Sequence, residues 1–202
     1  MLPADIIEYQ TLRSYNQGST PTCSAHAFFV CLQEVIQNRY DSDIEFDFFA
    51  EYDRMKEYKN GRRGPYVQYY MELGVKEGFV TKDGKFMVKI KSYRDIPLHH
   101  INAIMHNLQA IGPLIFGVRR YKGHSLKKIN EETGAIYEVK EDAQPKKTGH
   151  VMMIRGMDRV KKQFLFQNSW GESSSQRYMT FETFEKIAKY AYSIRTIEVT
   201  EL

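Results

Sequence analysis

Cysteine is scarce in this chain of 202 residues, which carries only Cys23 and Cys31. On one helix the two would stand about 12 Å apart along the axis, too far for a disulfide. With no disulfide framework, the expected location is the cytoplasm or another reducing compartment. No apolar run approaches the roughly 18 residues of a membrane span, so no membrane partner is expected. The first fifteen residues hold Asp5 and Glu8 and lack the basic-then-apolar pattern of a secretion signal. Charge of one sign is also in short supply: 29 Lys and Arg against 25 Asp and Glu leave a net charge of +4. The doublets Arg62-Arg63, Arg119-Arg120, Lys127-Lys128, Lys146-Lys147 and Lys161-Lys162 are scattered along the chain beside acids. They read as solvated surface, and no nucleic-acid partner is expected. Repeats, low-complexity tracts and heptads are missing. Cys23 and His26 have the spacing of a metal half-site without its other ligands, so no metal and no cofactor are expected, and His26 should pack or face solvent.

What is present suits a soluble globular protein: 42% apolar, 27% charged and 13% aromatic residues. The length allows a single domain of two small lobes with a core of its own. Over residues 22–39, Ala25, Phe28, Phe29, Leu32, Val35 and Ile36 recur at three- and four-residue steps and predict a helix, with Thr22 as its N-cap. Further helices are expected at about 46–58, stopped by Asn60-Gly61, at 66–73, and at 97–111, closed by Gly112-Pro113. The later half changes to short β-rich runs at 114–118, 135–139, 150–154, 164–167, 178–181 and 194–199. Residues 121–133 are polar and read as a surface loop. Helices first and strands second predict an α+β fold, with one domain over 1–202 divided into a mainly helical lobe (about 1–100) and a mainly β lobe (about 101–202).

Four segments carry chemistry. Gln17-Gly18-Ser19-Thr20-Pro21-Thr22-Cys23 sets a cysteine in the first turn of a helix, six residues after a glutamine. Unpaired N–H groups and the positive end of the helix dipole favour thiolate there. The Cys23 N–H and the Gln17 amide can both donate to an oxyanion. Gly149-His150 opens an apolar strand, where an imidazole can stand beside the thiolate. Asn168-Ser169-Trp170-Gly171 ends another strand. Its amide can hydrogen-bond the far ring nitrogen of His150, and its tryptophan, the only one in the chain, can shield that bond. Asn60-Gly61 and Gly64-Pro65 offer glycines that a substrate backbone can approach closely. Cys31 has no such context and should be buried packing.

Gln-Gly, a cysteine opening a helix, Gly-His before an apolar strand and Asn-Ser-Trp-Gly, in that order and across nearly the whole chain, resemble the papain-like cysteine peptidases. Thr20-Pro21-Thr22-Cys23-Ser24 stands where lysosomal members carry Cys-Gly-Ser-Cys-Trp. Cys23-Ser24-Ala25-His26-Ala27 is closer to the disulfide-poor branch of bacteria and large DNA viruses. The opening from Leu2-Pro3 to Tyr9 also resembles the start of a mature enzyme with no preceding prosegment. The resemblance implies a helical lobe and a β-barrel-like lobe with the active-site cleft between them. It implies a cysteine protease acting on a peptide or protein substrate, expected as a monomer and as an endopeptidase, although no loop or tail in the sequence separates endo- from exopeptidase. Cys23 would be nucleophile, His150 base, Asn168 its orienting partner and Gln17 oxyanion donor. Gly61, Gly64, Gly149 and Trp170 would contact substrate. Two alternatives stand beside this: a deamidase or transamidase with the same residues, and an inactive peptide-binding module on the same fold.

Overall fold

The computed structural model describes residues 5–9, 15–62, 66–121, 124–130, 134–139, 144–171 and 176–202. The first helix, α1 (Cys23–Tyr40), is buried on every side from Ser24 to Ile36. That makes it the central helix of its lobe rather than an amphipathic surface helix. Even its polar residues are accounted for inside: Gln33 Nε2 donates to the Ile44 carbonyl at 2.6 Å. Phe28 and Phe29 build an aromatic cluster with Phe46, Tyr70 and Phe79, with ring centroids 4.9–5.6 Å from their neighbours. Two further helices, α2 (Phe48–Lys59) and α3 (Tyr66–Lys76), cover this cluster. α2 starts on Asp47, whose carboxylate accepts from the Phe49 and Ala50 amides.

The half that reads as helical also contains strands. A hairpin joins β2 (Phe79–Val80) to β3 (Phe86–Asp95), and a short strand β1 (Ile6–Glu8) precedes everything. The signal for β3 is present in the sequence: buried Val88 and Ile90 alternate with lysines, after an Asp83-Gly84 turn in which Gly84 has φ 73°. After α4 (Ile101–Ala110) come β4 (Leu114–Tyr121), β5 (His124–Asn130), β6 (Gly134–Val139), β7 (Pro145–Asp158), β8 (Gln163–Gln167) and β9 (Gln176–Thr180). A short helix α5 (Phe181–Ile187) and β10 (Ala188–Glu201) finish the chain. β5 occupies most of the segment expected to be a loop, because its polar residues pair with β6 in a hairpin. The strand expected at 178–181 is β9 up to Thr180, and α5 follows it at Phe181: Thr180 caps the helix, accepting from the Thr183 amide at 3.1 Å.

All ten strands belong to one sheet, in the order β2-β3-β10-β4-β7-β8-β9-β6-β5, with β1 paired to β7. The described pairings are antiparallel apart from β6 with β9. The middle of this sheet has two buried faces. Ile115, Val151 and Met153 turn toward the helical core, while Leu114, Phe116, Met152 and Ile154 turn toward a second core shared with α4 and α5. Strand alternation divides them, so β4 and β7 form the wall common to both cores. α1 packs against β7, and this contact brings the start of the helix to the strand that carries His150.

Candidate active site

Cys23 is the first residue of α1. Thr22 holds the N-cap position with φ −95° and ψ 16°, but its side chain makes no capping bond. Its hydroxyl instead lies 2.8 Å from that of Thr20. The first-turn amides are therefore not quenched by a capping oxygen. Burial pushes the Cys23 thiol up. The backbone N–H groups of Val151, Ser24 and Cys23 itself, together with the Arg120 charge, pull it down by less. Of these influences, withdrawal from water is the larger. A thiolate here needs a cation beside it.

His150 lies in β7 opposite Val118 of β4 and is 8% exposed. Its Nε2 is 2.7 Å from Asn168 Oδ1. The same Oδ1 accepts the Ser169 backbone N–H at 2.9 Å. An atom that accepts from a backbone amide is the carbonyl oxygen, so His150 Nε2 must carry the hydrogen in this bond. The neutral ring then accepts protons at Nδ1. Asn168 is 5% exposed, one residue beyond the end of β8. The Trp170 ring stacks on the imidazole, with centroids 5.1 Å apart and planes 20° from parallel. The tryptophan covers the histidine and is itself 38% exposed toward the cleft.

Gln17 is braced between the two lobes. Its Oε1 accepts the Ser169 hydroxyl, and its Nε2 donates to the Thr20 carbonyl at 2.7 Å. The backbones are joined as well: Gln17 N–H donates to the Ser169 carbonyl at 2.9 Å, and Gly171 N–H to the Tyr15 carbonyl at 3.1 Å. The loop before the nucleophile is thereby fixed to the turn that carries Asn168. One Nε2 hydrogen of Gln17 serves Thr20 and the second remains for another acceptor.

Cys23, His150, Gln17, Gly149 and Trp170 all line one cleft of about 810 Å³. Asn168 stands behind His150. Gly61 does not line the cleft; with φ 74° it completes the C-terminal turn of α2 after the left-handed Asn60. Gly64 lies outside the described residues, as do Glu172, Ser173, Ser174 and Ser175. Cys31 is fully buried, with its thiol 3.4 Å from the Pro113 carbonyl, and both cysteines are free. His26 is buried against Tyr15, Phe48 and Phe49. The cleft also takes in residues that sequence reasoning passed over: Tyr52 and Tyr66 on the helical side, and Arg119, Arg120, Lys146, Lys147, Lys189 and Tyr190 on the sheet side. The two doublets among them had been read as solvated surface. Only the β4–β7 pairing shows that they meet.

The fold is that of the papain-like cysteine proteases. Xylellain, a cysteine protease from Xylella fastidiosa, superposes with a TM-score of 0.73 at 15% identity, over 98% of this chain and 88% of that one. A Carica candamarcensis cysteine protease, solved in complex with E-64, gives 0.71 at 13% identity over 96% and 99%. Digestive procathepsin L 3 from the larval midgut of Tenebrio molitor gives 0.71 at 11% identity over 97% and 71%. No curated protein matches the sequence. A family model does: residues 76–196 match that of the Peptidase_C39 like family, a span that takes in His150 and Asn168 and begins after Cys23. That span is more than half of the chain, and the chain belongs to the Peptidase_C39 like family.

Proposed function

We propose that this chain is a cysteine peptidase that cleaves peptide bonds through an acyl-enzyme. The observation that carries this reading is the His150–Asn168 bond with its defined tautomer, set in the same cleft as a cysteine that opens a helix. With Nε2–H committed to Asn168, His150 Nδ1 takes the proton from Cys23 Sγ. The imidazolium then supplies the cation that a desolvated thiolate requires. The thiolate attacks the substrate carbonyl carbon, and the carbonyl electrons move to oxygen. The Cys23 N–H and the second Nε2 hydrogen of Gln17 are the donors available to that oxyanion. His150 returns its proton to the departing amine, leaving a thioester. Water, deprotonated by His150, then releases the acid and restores the thiol. Cleavage inside an extended peptide fits a cleft lined from both sides.

The test is labelling of the folded protein with E-64 at neutral pH, read by intact mass and peptide mapping, beside turnover of a quenched-fluorescence peptide library. One adduct on Cys23 is expected, with turnover reduced at least about a thousandfold in Cys23→Ala and His150→Ala. Turnover retained in either variant overturns the mechanism. Ammonia release from glutamine peptides without chain cleavage would instead assign the same residues to a deamidase.

A further inference from the structure

Among the described residues, the charge lining the cleft is of one sign. Five cations line it, Arg119 and Arg120 from β4, Lys146 and Lys147 from β7 and Lys189 from β10, and no Asp or Glu among the described residues does. These strands are neighbours in the sheet, in the order β10-β4-β7. Arg119 pairs with Gly149 and Val118 with His150, so β7 carries Lys146 and Lys147 on the same stretch that presents the histidine. Lys189 occupies the register shift between Ala188 and Tyr190, opposite Val118 and Gly117. The facing wall is uncharged, with Ser19, Thr20 and the rings of Tyr52 and Tyr66.

Elsewhere in the fold, cations meet acids. Arg54 pairs with Glu51 and Glu77, Lys82 with Glu45, Lys91 with Glu198, and Arg155 with Glu8. Among the described residues, none of the five cleft cations has a carboxylate partner. Charge on the whole chain points the same way. With those five set aside, the remaining 24 Lys and Arg are one fewer than the 25 Asp and Glu of the chain. Like charges gathered in one wall repel one another, a cost that an anionic ligand relieves. Arg120 is also near enough to Cys23 to favour its anion, which places the basic wall at the reacting centre.

We propose that the substrates of this cleft are acidic peptides, with Asp or Glu flanking the scissile bond against Arg119, Arg120, Lys146, Lys147 and Lys189. The inference rests on the peptidase reading for its chemistry and on the cleft alone for its charge. Four of the five side chains are exposed and Arg120 is half-buried. Each contact therefore contributes a modest factor of about 1.5 to 5, and two or three together give about tenfold. Because these contacts are solvated, salt should weaken them once the Debye length falls to about 8 Å and below.

The experiment uses quenched peptides of one core sequence, flanked by Glu, Gln or Lys. Cleavage is read with the wild type and binding with Cys23→Ala by fluorescence anisotropy, each at low and high salt. Expected are about tenfold higher kcat/KM and tighter binding for the Glu series at low salt, fading as salt rises. The exposed double variant Lys146→Glu/Lys147→Glu should erase or invert the order of the three series. Cleavage without preference for the Glu series would overturn this inference and leave the peptidase standing. Glu-selective binding with no cleavage of any series would do the reverse. An RNA oligonucleotide held more tightly than the Glu peptides, through the same two lysines, would also overturn it.

Discussion

Gly117→Ala is the most exposing single change available in the cleft. Gly117 is buried in β4, paired with Tyr190 of β10 on one side and Val151 of β7 on the other. The Tyr190 ring lies across the space where a side chain would be: a Cβ built on Gly117 would overlap Cζ, Cε1 and Oη of that ring. Both residues sit in hydrogen-bonded strands, so the backbones cannot separate without breaking the ladder. Tyr190 must turn about its own torsions, and it is the cleft that it lines. Overpacking of this kind costs about 1–3 kcal/mol, which for a chain of this size lowers Tm by roughly 3 °C per kcal/mol. The displaced ring should also narrow the cleft beside His150. Peptide kcat/KM should then fall, while alkylation of Cys23 by a small reagent such as iodoacetamide keeps its rate. The assay is urea and thermal unfolding of Gly117→Ala, Tyr190→Ala and the double variant, with kcat/KM and alkylation measured on each. A single contact predicts a coupling of at least about 1 kcal/mol between the two sites. Additive effects, or a Gly117→Ala protein with unchanged Tm and turnover, would refute the claim that this glycine exists to seat Tyr190.

Two other outcomes follow from the geometry. Burial raises the Cys23 thiol, so in His150→Ala its alkylation should climb only above the ordinary thiol midpoint near pH 8.5, whereas the wild type should still react at pH 6–7 by giving its proton to His150; stopped alkylation analysed by mass against pH checks this, and superimposable profiles would sink the ion-pair reading. Gly156→Ala should unseat β1, because the new Cβ would stand 2.5 Å from the Ile7 carbonyl and 3.2 Å from Glu8 Cα. Both are backbone atoms that cannot swing aside, so hydrogen exchange should quicken at Tyr9, whose N–H donates to the Arg155 carbonyl, with α1 amides unaffected.

The candidate site was legible to the extent that its parts are local. A cysteine at a helix start, a histidine opening an apolar strand and an asparagine closing another each leave a mark within a few residues. All three reach one site because α1 packs on β7 and β8 pairs with β7. The lining of the cleft was less legible. Gly149 and Trp170 lie in the cleft, but Gly61 serves the end of α2 because its positive φ continues the left-handed turn begun at Asn60. Gln17 was read as an oxyanion donor, and the structure adds a bracing role through Ser169 that no spacing of 152 residues could reveal. Of the elements missed, β1, β2, β5 and α5 have signals that are weak alone, being short runs or polar strands that form only when a partner supplies their hydrogen bonds, whereas β3 carries a readable alternation of Val88 and Ile90 with lysines.

The sequence by itself singled out Cys23, His150 and Asn168 as candidates and determined the central helix and the α+β class. These depend on periodicity and on motifs that act over a few residues. The tertiary structure decided which neutral and charged residues share the cleft with them. Arg119-Arg120 and Lys146-Lys147 are ordinary surface doublets along the chain and become one basic wall through antiparallel register across β4 and β7. Lys189 joins them only because β10 returns to pair with β4. It also decided the thiol's environment: the helix start favours the anion and burial opposes it, and which prevails depends on how far the lobes exclude water from Cys23. Long-range pairing and desolvation are properties of the assembled sheet and its two cores, and no window of the sequence contains them.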